Sequence, residues 1–188
     1  MSMERLDVLK ALADRRTDEI VVTTMTATLQ WPQVSSHPLD FDFLAFGMGH
    51  AADFALGLAL ARPERKVIVL KGDGGLLMSL GSLVTLGRYA PPNLLVLLLE
   101  NRSYEMTGGQ SFATEVDFPA LASGAGLKNV ERIDDLTRFE TELSRLLTKP
   151  GPHFVVLPVT NSASLPPVSH TDHTSRVTKL RQALDLVP

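Results

Sequence analysis

"VIVLKGDGGLLMSLGSL", residues 67–83, passes from a short run that is apolar on both faces, through Gly-Asp-Gly-Gly, into a stretch with helical spacing. A strand with no polar face belongs inside a parallel sheet covered by helices on both sides. Five further segments extend the pattern: "EIVVTTM" around Ile20, "DFLAF" around Leu44, "LLVLLLE" around Leu95, "NVERI" around Val130 and "HFVVLPV" around Val155. Between and after them, helical periodicity predicts helices over 50–61, 76–88, 118–123, 134–147 and 176–186. Strands alternating with helices predict an α/β fold, a three-layer α/β/α domain with a mainly parallel six-stranded sheet.

The chain has 188 residues, 44% of them hydrophobic and 21% charged, which suits one domain over 1–188, with 162–188 as tail and terminal helix. The formal net charge is −3 and the basic residues are scattered, so no nucleic-acid partner is expected. The chain contains no cysteine, which rules out disulfides, thiolate metal sites and cysteine-ligated iron–sulfur clusters within it. The first residues are charged, with Leu6, Leu9 and Leu12 at helical spacing and no uninterrupted apolar core of a signal peptide, which predicts a cytoplasmic protein. The longest apolar run, 94–99, is far too short to cross a bilayer, so no membrane partner is expected.

Two stretches break the alternation. Residues 30–42 hold two prolines and read as an exposed loop, and residues 101–117 form a long connection after the most hydrophobic strand. Loops at the carboxyl ends of parallel strands are where such folds bind ligands.

In Gly72-Asp73-Gly74-Gly75 the glycines allow close approach to the N–H groups that open a helix, a favourable place for an anion. A carboxylate there would repel a bare phosphate, so Asp73 makes chemical sense with a divalent cation between the two. Asn101 ends the neighbouring strand and is a candidate second oxygen ligand. The alternative is an ordinary turn in which Asp73 caps the helix. Two strand ends set side by side by one crossover favour the cation.

The stretch "GDGGLLMSLGSLVTLGRYAPPNLLVLLLEN" resembles the thiamine diphosphate motif, which begins with Gly-Asp-Gly and ends with Asn after a helix and a strand. "FGMGHAADFALGLALA" resembles the segment beside the aminopyrimidine ring in this family, and "NRSYEMTGGQ" the loop that closes over the diphosphate. The resemblance runs from Val21 to Val159 and is strongest to the β subunit, or C-terminal half, of sulfopyruvate and phosphonopyruvate decarboxylases. It implies thiamine diphosphate and Mg2+ as cofactors, with Asp73 and Asn101 as side-chain metal ligands and the carbonyl of Ser103 as a third. It implies cofactor contacts from Phe46, Gly47, Met48, Gly72, Gly74, Gly75 and Tyr104, Met48 supporting the bent cofactor. Relatives usually carry a smaller residue at Phe46 and Ser at Gly75.

The resemblance also implies a thiamine diphosphate-dependent carboxy-lyase subunit acting on a 2-oxo acid. Its activating glutamate would come from a separate pyrimidine-binding α subunit, in an α2β2 or larger hetero-oligomer. Tyr104, Thr107 and His50 are the catalytic candidates on this chain. Glu105 is expected on a solvated face, His37 faces either a partner or water, and His170 and His173 are expected to face solvent rather than a metal. An acetolactate synthase-like carboligase and a non-catalytic scaffold are the alternatives. A ferredoxin-linked oxidoreductase subunit is disfavoured by the missing cysteines, and a Rossmann-type nucleotide domain by the missing Gly-x-Gly-x-x-Gly turn.

Overall fold

A computed structural model describes residues 2–43, 47–162, 165–167 and 172–185, except for the side chain of residue 173. The chain runs through α1 (Arg5–Arg15), β1 (Ile20–Thr23), α2 (Thr26–Gln30), a 3-10 turn at Trp31–Gln33 and β2 (Asp40–Asp42). It continues through α3 (Ala51–Ala61), β3 (Val67–Gly72), α4 (Asp73–Met78), α5 (Ser82–Tyr89) and β4 (Leu94–Glu100). A small antiparallel ribbon, β5 (Ser103–Tyr104) and β6 (Gln110–Ser111), precedes α6 (Phe118–Gly124), β7 (Asn129–Arg132), α7 (Leu136–Thr148), β8 (His153–Pro158) and α8 (His173–Ala183).

Six strands form one sheet in the order β2-β1-β3-β4-β8-β7, and every pair is parallel. Alternation along each strand divides the core in two. Val67 and Val69 of β3 point to the face covered by α3, α5 and α6, whereas Ile68 and Leu70 point to the face covered by α1 and α7. All seven residues of β4 are buried, which is why its sequence is apolar nearly throughout. Four alanines of α3 (Ala51, Ala52, Ala55 and Ala59) are buried, and their small side chains suit close packing on the sheet. α7 packs through Phe139, Leu143 and Leu146, spaced four and three residues apart, and is started by the Asp135 carboxylate accepting the Arg138 N–H.

The expected class holds, with several elements displaced. The strand expected around Leu44 is instead Asp40–Asp42, and residues 44–46 lie outside the described residues. Consequently 30–42 is not simply an exposed loop. Trp31, Leu39 and Phe41 are buried, and Asp40 is gripped by Arg16, the Ser35 hydroxyl and the His37 N–H, which fixes β2 against β1. The single helix expected over 76–88 is two helices, α4 beginning already at Asp73 and the chain breaking at 79–81. The break lets the Ser79 hydroxyl reach the carbonyl of Gly49, while Ser82 donates to Asp53 Oδ2 at 2.7 Å. In α1, Val8, Leu9 and Leu12 enter the core and Leu6 stays 38% exposed. The terminal helix starts at His173 because Asp172 accepts the N–H groups of Thr174 and Ser175. Among the described residues, no helix is long and apolar enough to cross a membrane.

Candidate functional site

β3 and β4 lie side by side with Gly72 opposite Leu99, so Asp73 and Asn101 stand at the same carboxyl edge of the sheet. Asp73 is 1% exposed. Its Oδ1 accepts the Gly74 N–H at 2.8 Å and its Oδ2 accepts the Arg102 N–H at 2.6 Å. Burial pushes its pKa up to about 6; the Arg102 and Gly74 bonds pull the other way, and the negative charge of Glu100 adds to the rise. Among the described residues no cationic side chain pairs with this carboxylate. A buried acid in that state is stabilised by a bound cation.

Asn101 accepts the Ser103 N–H on Oδ1 at 3.1 Å and donates from Nδ2 to Glu105 Oε2 at 3.1 Å. The glycines differ in what demands them. A Cβ at Gly74 would lie 2.8 Å from Tyr104 Cδ1 and 3.3 Å from the Ser103 carbonyl oxygen, so the loop after β4 presses directly on this position. A Cβ at Gly75 would lie 3.2 Å from the Met48 carbonyl. At Gly72, with an ordinary φ of −75°, a Cβ would meet nothing within 4 Å. The fold therefore has no steric need for glycine at 72, and its missing side chain leaves room in the cleft.

Gly72, Asp73, Gly74, Gly75, Asn101, Ser103 and Tyr104 line one cleft. Met25, Thr26 and Ala27 also line it, a contribution that the sequence analysis did not identify. Met25 takes φ 53°, ψ −128°, a conformation normally left to glycine. Asp73, Asn101 and Ser103 bring a carboxylate, a carboxamide oxygen and a backbone carbonyl to this cleft, a hard-oxygen set suited to a cation such as Mg2+. Among the described residues no group of three His, Cys, Asp or Glu could hold a metal, so a cation here would rely on amide and carbonyl oxygens beside Asp73.

The remaining candidates are less closely gathered. Gly47, at φ +126°, and Met48, 43% exposed, precede α3 and do not line the cleft, although the Met48 carbonyl reaches Gly75. Phe46 and His170 lie outside the described residues, as does the side chain of His173. His50 is exposed, bonds Asp53 Oδ2 through Nδ1 at 2.7 Å and does not line the cleft. Thr107 lines the rim and donates to the Tyr104 carbonyl at 3.2 Å, while the Tyr104 ring packs edge-on against Phe112 with centroids 5.0 Å apart. His37 is half-buried, its Nδ1 accepting the Leu39 N–H at 3.1 Å and lying 3.1 Å from Arg16 Nη2.

Two residues correct or extend the sequence reading. Glu105 is not on a solvated face: its side chain is 12% exposed and pairs with Arg5 Nη1 at 2.8 Å. Lys71 is fully buried and donates from Nζ to the Gly49 carbonyl, tying the turn before α3 to β3. Burial pushes its pKa down to about 8, Asp53 pulling the other way. Its signal in the sequence was a lone lysine in an otherwise apolar strand.

The fold is an α/β domain with a cleft at the carboxyl edge of its parallel sheet, lined by oxygen donors and a glycine-rich helix start. The chain belongs to the family described as "Thiamine pyrophosphate enzyme, C-terminal TPP binding domain", whose profile matches residues 22–157. Among its relatives, a sulfopyruvate decarboxylase subunit beta from Methanothermobacter thermautotrophicus is 37% identical over 161 residues, covering 85% of this chain and 83% of that one. A phosphonopyruvate decarboxylase from Streptomyces hygroscopicus is 41% identical over 118 residues, covering 62% of this chain but 29% of the relative. Among solved structures, benzoylformate decarboxylase from Polynucleobacter necessarius superposes with a TM-score of 0.74 at 22% identity, over 89% of this chain and 35% of that one. That likeness speaks for the fold alone.

Proposed function

We propose that this chain is the diphosphate- and Mg2+-binding subunit of a thiamine diphosphate-dependent 2-oxo acid decarboxylase. A sulfonate- or phosphonate-bearing pyruvate is the substrate class. The observation that carries the proposal is the cleft itself: Asp73, Asn101 and Ser103 bring three oxygen donors to one edge, beside a Gly72 whose missing side chain leaves ligand space. Relatives named as decarboxylases, at 37% and 41% identity, support the reaction class.

When bound, thiamine diphosphate supplies the electron sink for loss of carbon dioxide from a 2-oxo acid. The task of this chain is to hold it. Asp73 and Asn101 would hold Mg2+ through side-chain oxygens and Ser103 through its carbonyl, while the Gly75 N–H would face the diphosphate and the Gly74 N–H stays with Asp73 Oδ1. Gly72 leaves room for it and Tyr104 closes over it. Phe46, Gly47 and Met48 precede α3 and serve the pyrimidine end of the cofactor. Tyr104, Thr107 and His50 are the groups on this chain that could act on substrate.

The proposed complex includes a pyrimidine-binding α subunit that carries the activating glutamate. The name "subunit beta" of the relative that this chain matches over most of its length supports such a partner. So do exposed apolar side chains on α4, α5, the break between them and the turn before α3: Met48, Met78, Leu80 and Val84 are between 37% and 63% exposed.

Calorimetric titration with thiamine diphosphate and Mg2+, on the chain alone and co-purified with a pyrimidine-domain partner, tests the reading, with Asp73→Ala as control. Binding that Asp73→Ala abolishes, followed by carbon dioxide release from sulfopyruvate or phosphonopyruvate in the complex, supports it. Absence of binding in both preparations overturns it.

A further inference from the structure

Glu105 sits at the junction of three separate parts of the chain: its own loop after β4, α1 and the segment at Ser162. Its Oε2 accepts the Asn101 Nδ2–H at 3.1 Å and pairs with Arg5 Nη1 at 2.8 Å, and its Oε1 accepts the Ser162 N–H at 2.7 Å. Arg5, 3% exposed on α1, also donates from Nη1 to Gln30 Oε1 at 3.2 Å and to Ser162 Oγ at 3.4 Å, and from Nη2 to the Thr160 carbonyl at 3.2 Å. Gln30 closes the ring by donating to Ser162 Oγ at 2.8 Å. Both Arg5 and Glu105 line the cleft that contains Asp73 and Asn101.

A carboxamide has one accepting and one donating end, and a metal can use only the oxygen. A carboxylate accepts only, so Glu105 must face Nδ2 of Asn101, while the Ser103 N–H faces Oδ1. Arg5 fixes Glu105 in that role. We infer that Glu105, held by Arg5 of the N-terminal helix, is a positioning residue that orients the Asn101 carboxamide so that its oxygen serves the metal. This rests on the reading of Asp73, Asn101 and Ser103 as the metal ligands. It makes α1, far from the Gly-Asp-Gly motif in sequence, part of the machinery for cation binding.

The test uses the full chain, with Mn2+ as a spectroscopically visible oxygen-seeking probe. Binding is followed by electron paramagnetic resonance at fixed thiamine diphosphate. Replacing the ion pair by apolar side chains, Arg5→Met with Glu105→Met, removes the acceptor without leaving a buried charge unpaired. The pair of substitutions is expected to weaken Mn2+ binding about 10- to 100-fold, the usual effect of losing an outer-shell partner. In an Asn101→Asp background the ligand has two equivalent oxygens and needs no orienting, and Glu105 opposes it by like charge. There the same two substitutions leave Mn2+ affinity unchanged or tighten it.

An equal loss in both backgrounds would reduce Glu105 to a structural strut and overturn the inference, as would no loss in either. If the unsubstituted chain binds no Mn2+ with thiamine diphosphate either alone or co-purified with a pyrimidine-domain partner, the metal-site reading itself fails and the inference falls with it. Should the apolar pair not fold, the charge-swapped pair Arg5→Glu with Glu105→Lys keeps an ion pair and sets a donor against Asn101 Nδ2. It should bind Mn2+ at least about tenfold more weakly, and full affinity would overturn the inference.

Discussion

The backbone N–H of Arg102 donates to Asp73 Oδ2 at 2.6 Å, fastening the loop after β4 to the first residue of the helix after β3. Two crossover connections thereby meet at one carboxylate, and the loop carrying Asn101, Ser103 and Tyr104 is referenced to Asp73 before any ligand arrives. Pre-positioned ligands reduce what a cation must order on binding.

That carboxylate makes the stability of the ligand-free chain depend on pH. Its folded pKa of about 6 lies above the ordinary value of about 4, so between those values the folded chain keeps a proton that the unfolded chain has released. The contribution is present below pH 4 and is lost as pH rises through 6. From pH 4 to 8 without divalent cation, the native chain should lose about 1–3 kcal/mol more stability than Asp73→Asn. Urea melts at the two pH values measure this, and parallel losses in the two proteins would contradict it. Mg2+ with thiamine diphosphate should raise the melting temperature of the native chain and not that of the variant.

Gly72 and Gly74 separate space for a ligand from space for the fold. Gly72→Ala meets no atom and suits the local backbone, so stability should hold or rise by about 0.4–1 kcal/mol while thiamine diphosphate affinity falls at least about tenfold. Gly74→Ala presses on Tyr104 and the Ser103 carbonyl and should lose about 1–3 kcal/mol of stability as well as affinity. Thermal melts paired with calorimetry distinguish the two patterns.

Met25 stores backbone strain at the cleft wall, with φ 53° and ψ −128°. Met25→Gly should stabilise the ligand-free chain by about 1 kcal/mol, because relief of strain outweighs the added freedom of the unfolded glycine. A denaturant titration showing destabilisation would mean that side-chain contacts of Met25 outweigh the strain.

The sheet was legible where side-chain pattern alone decides the structure. Strands such as 67–72 and 94–100 are apolar on both faces, and Gly-Asp-Gly followed by Asn marked the adjoining edge. β2 was misplaced because three residues of Asp-Phe-Asp offer little pattern; the clasp of Arg16, Ser35 and His37 on Asp40 determines where it pairs. Glu105 was placed on the wrong face and Lys71 was missed for a shared reason. Their surroundings come from residues distant in sequence, Arg5 and Ser162 for one and Gly49 for the other, and no local spacing announces a partner brought in by a crossover.

The place of β4 in the sheet bears on how this polypeptide survives its own synthesis. β4 pairs with β3 on one side and with β8 on the other, and β8 comes near the end of the domain. A ribosome therefore releases "LLVLLL" with one edge uncovered and must add all of α6, β7 and α7 before the strand that seals it. During that interval the nascent chain presents an uncharged, β-prone hydrophobic edge, the kind of segment that templates aggregation and engages chaperones. Truncations ending before His153 should accumulate in inclusion bodies, whereas chains extending through Pro158 should partition to the supernatant.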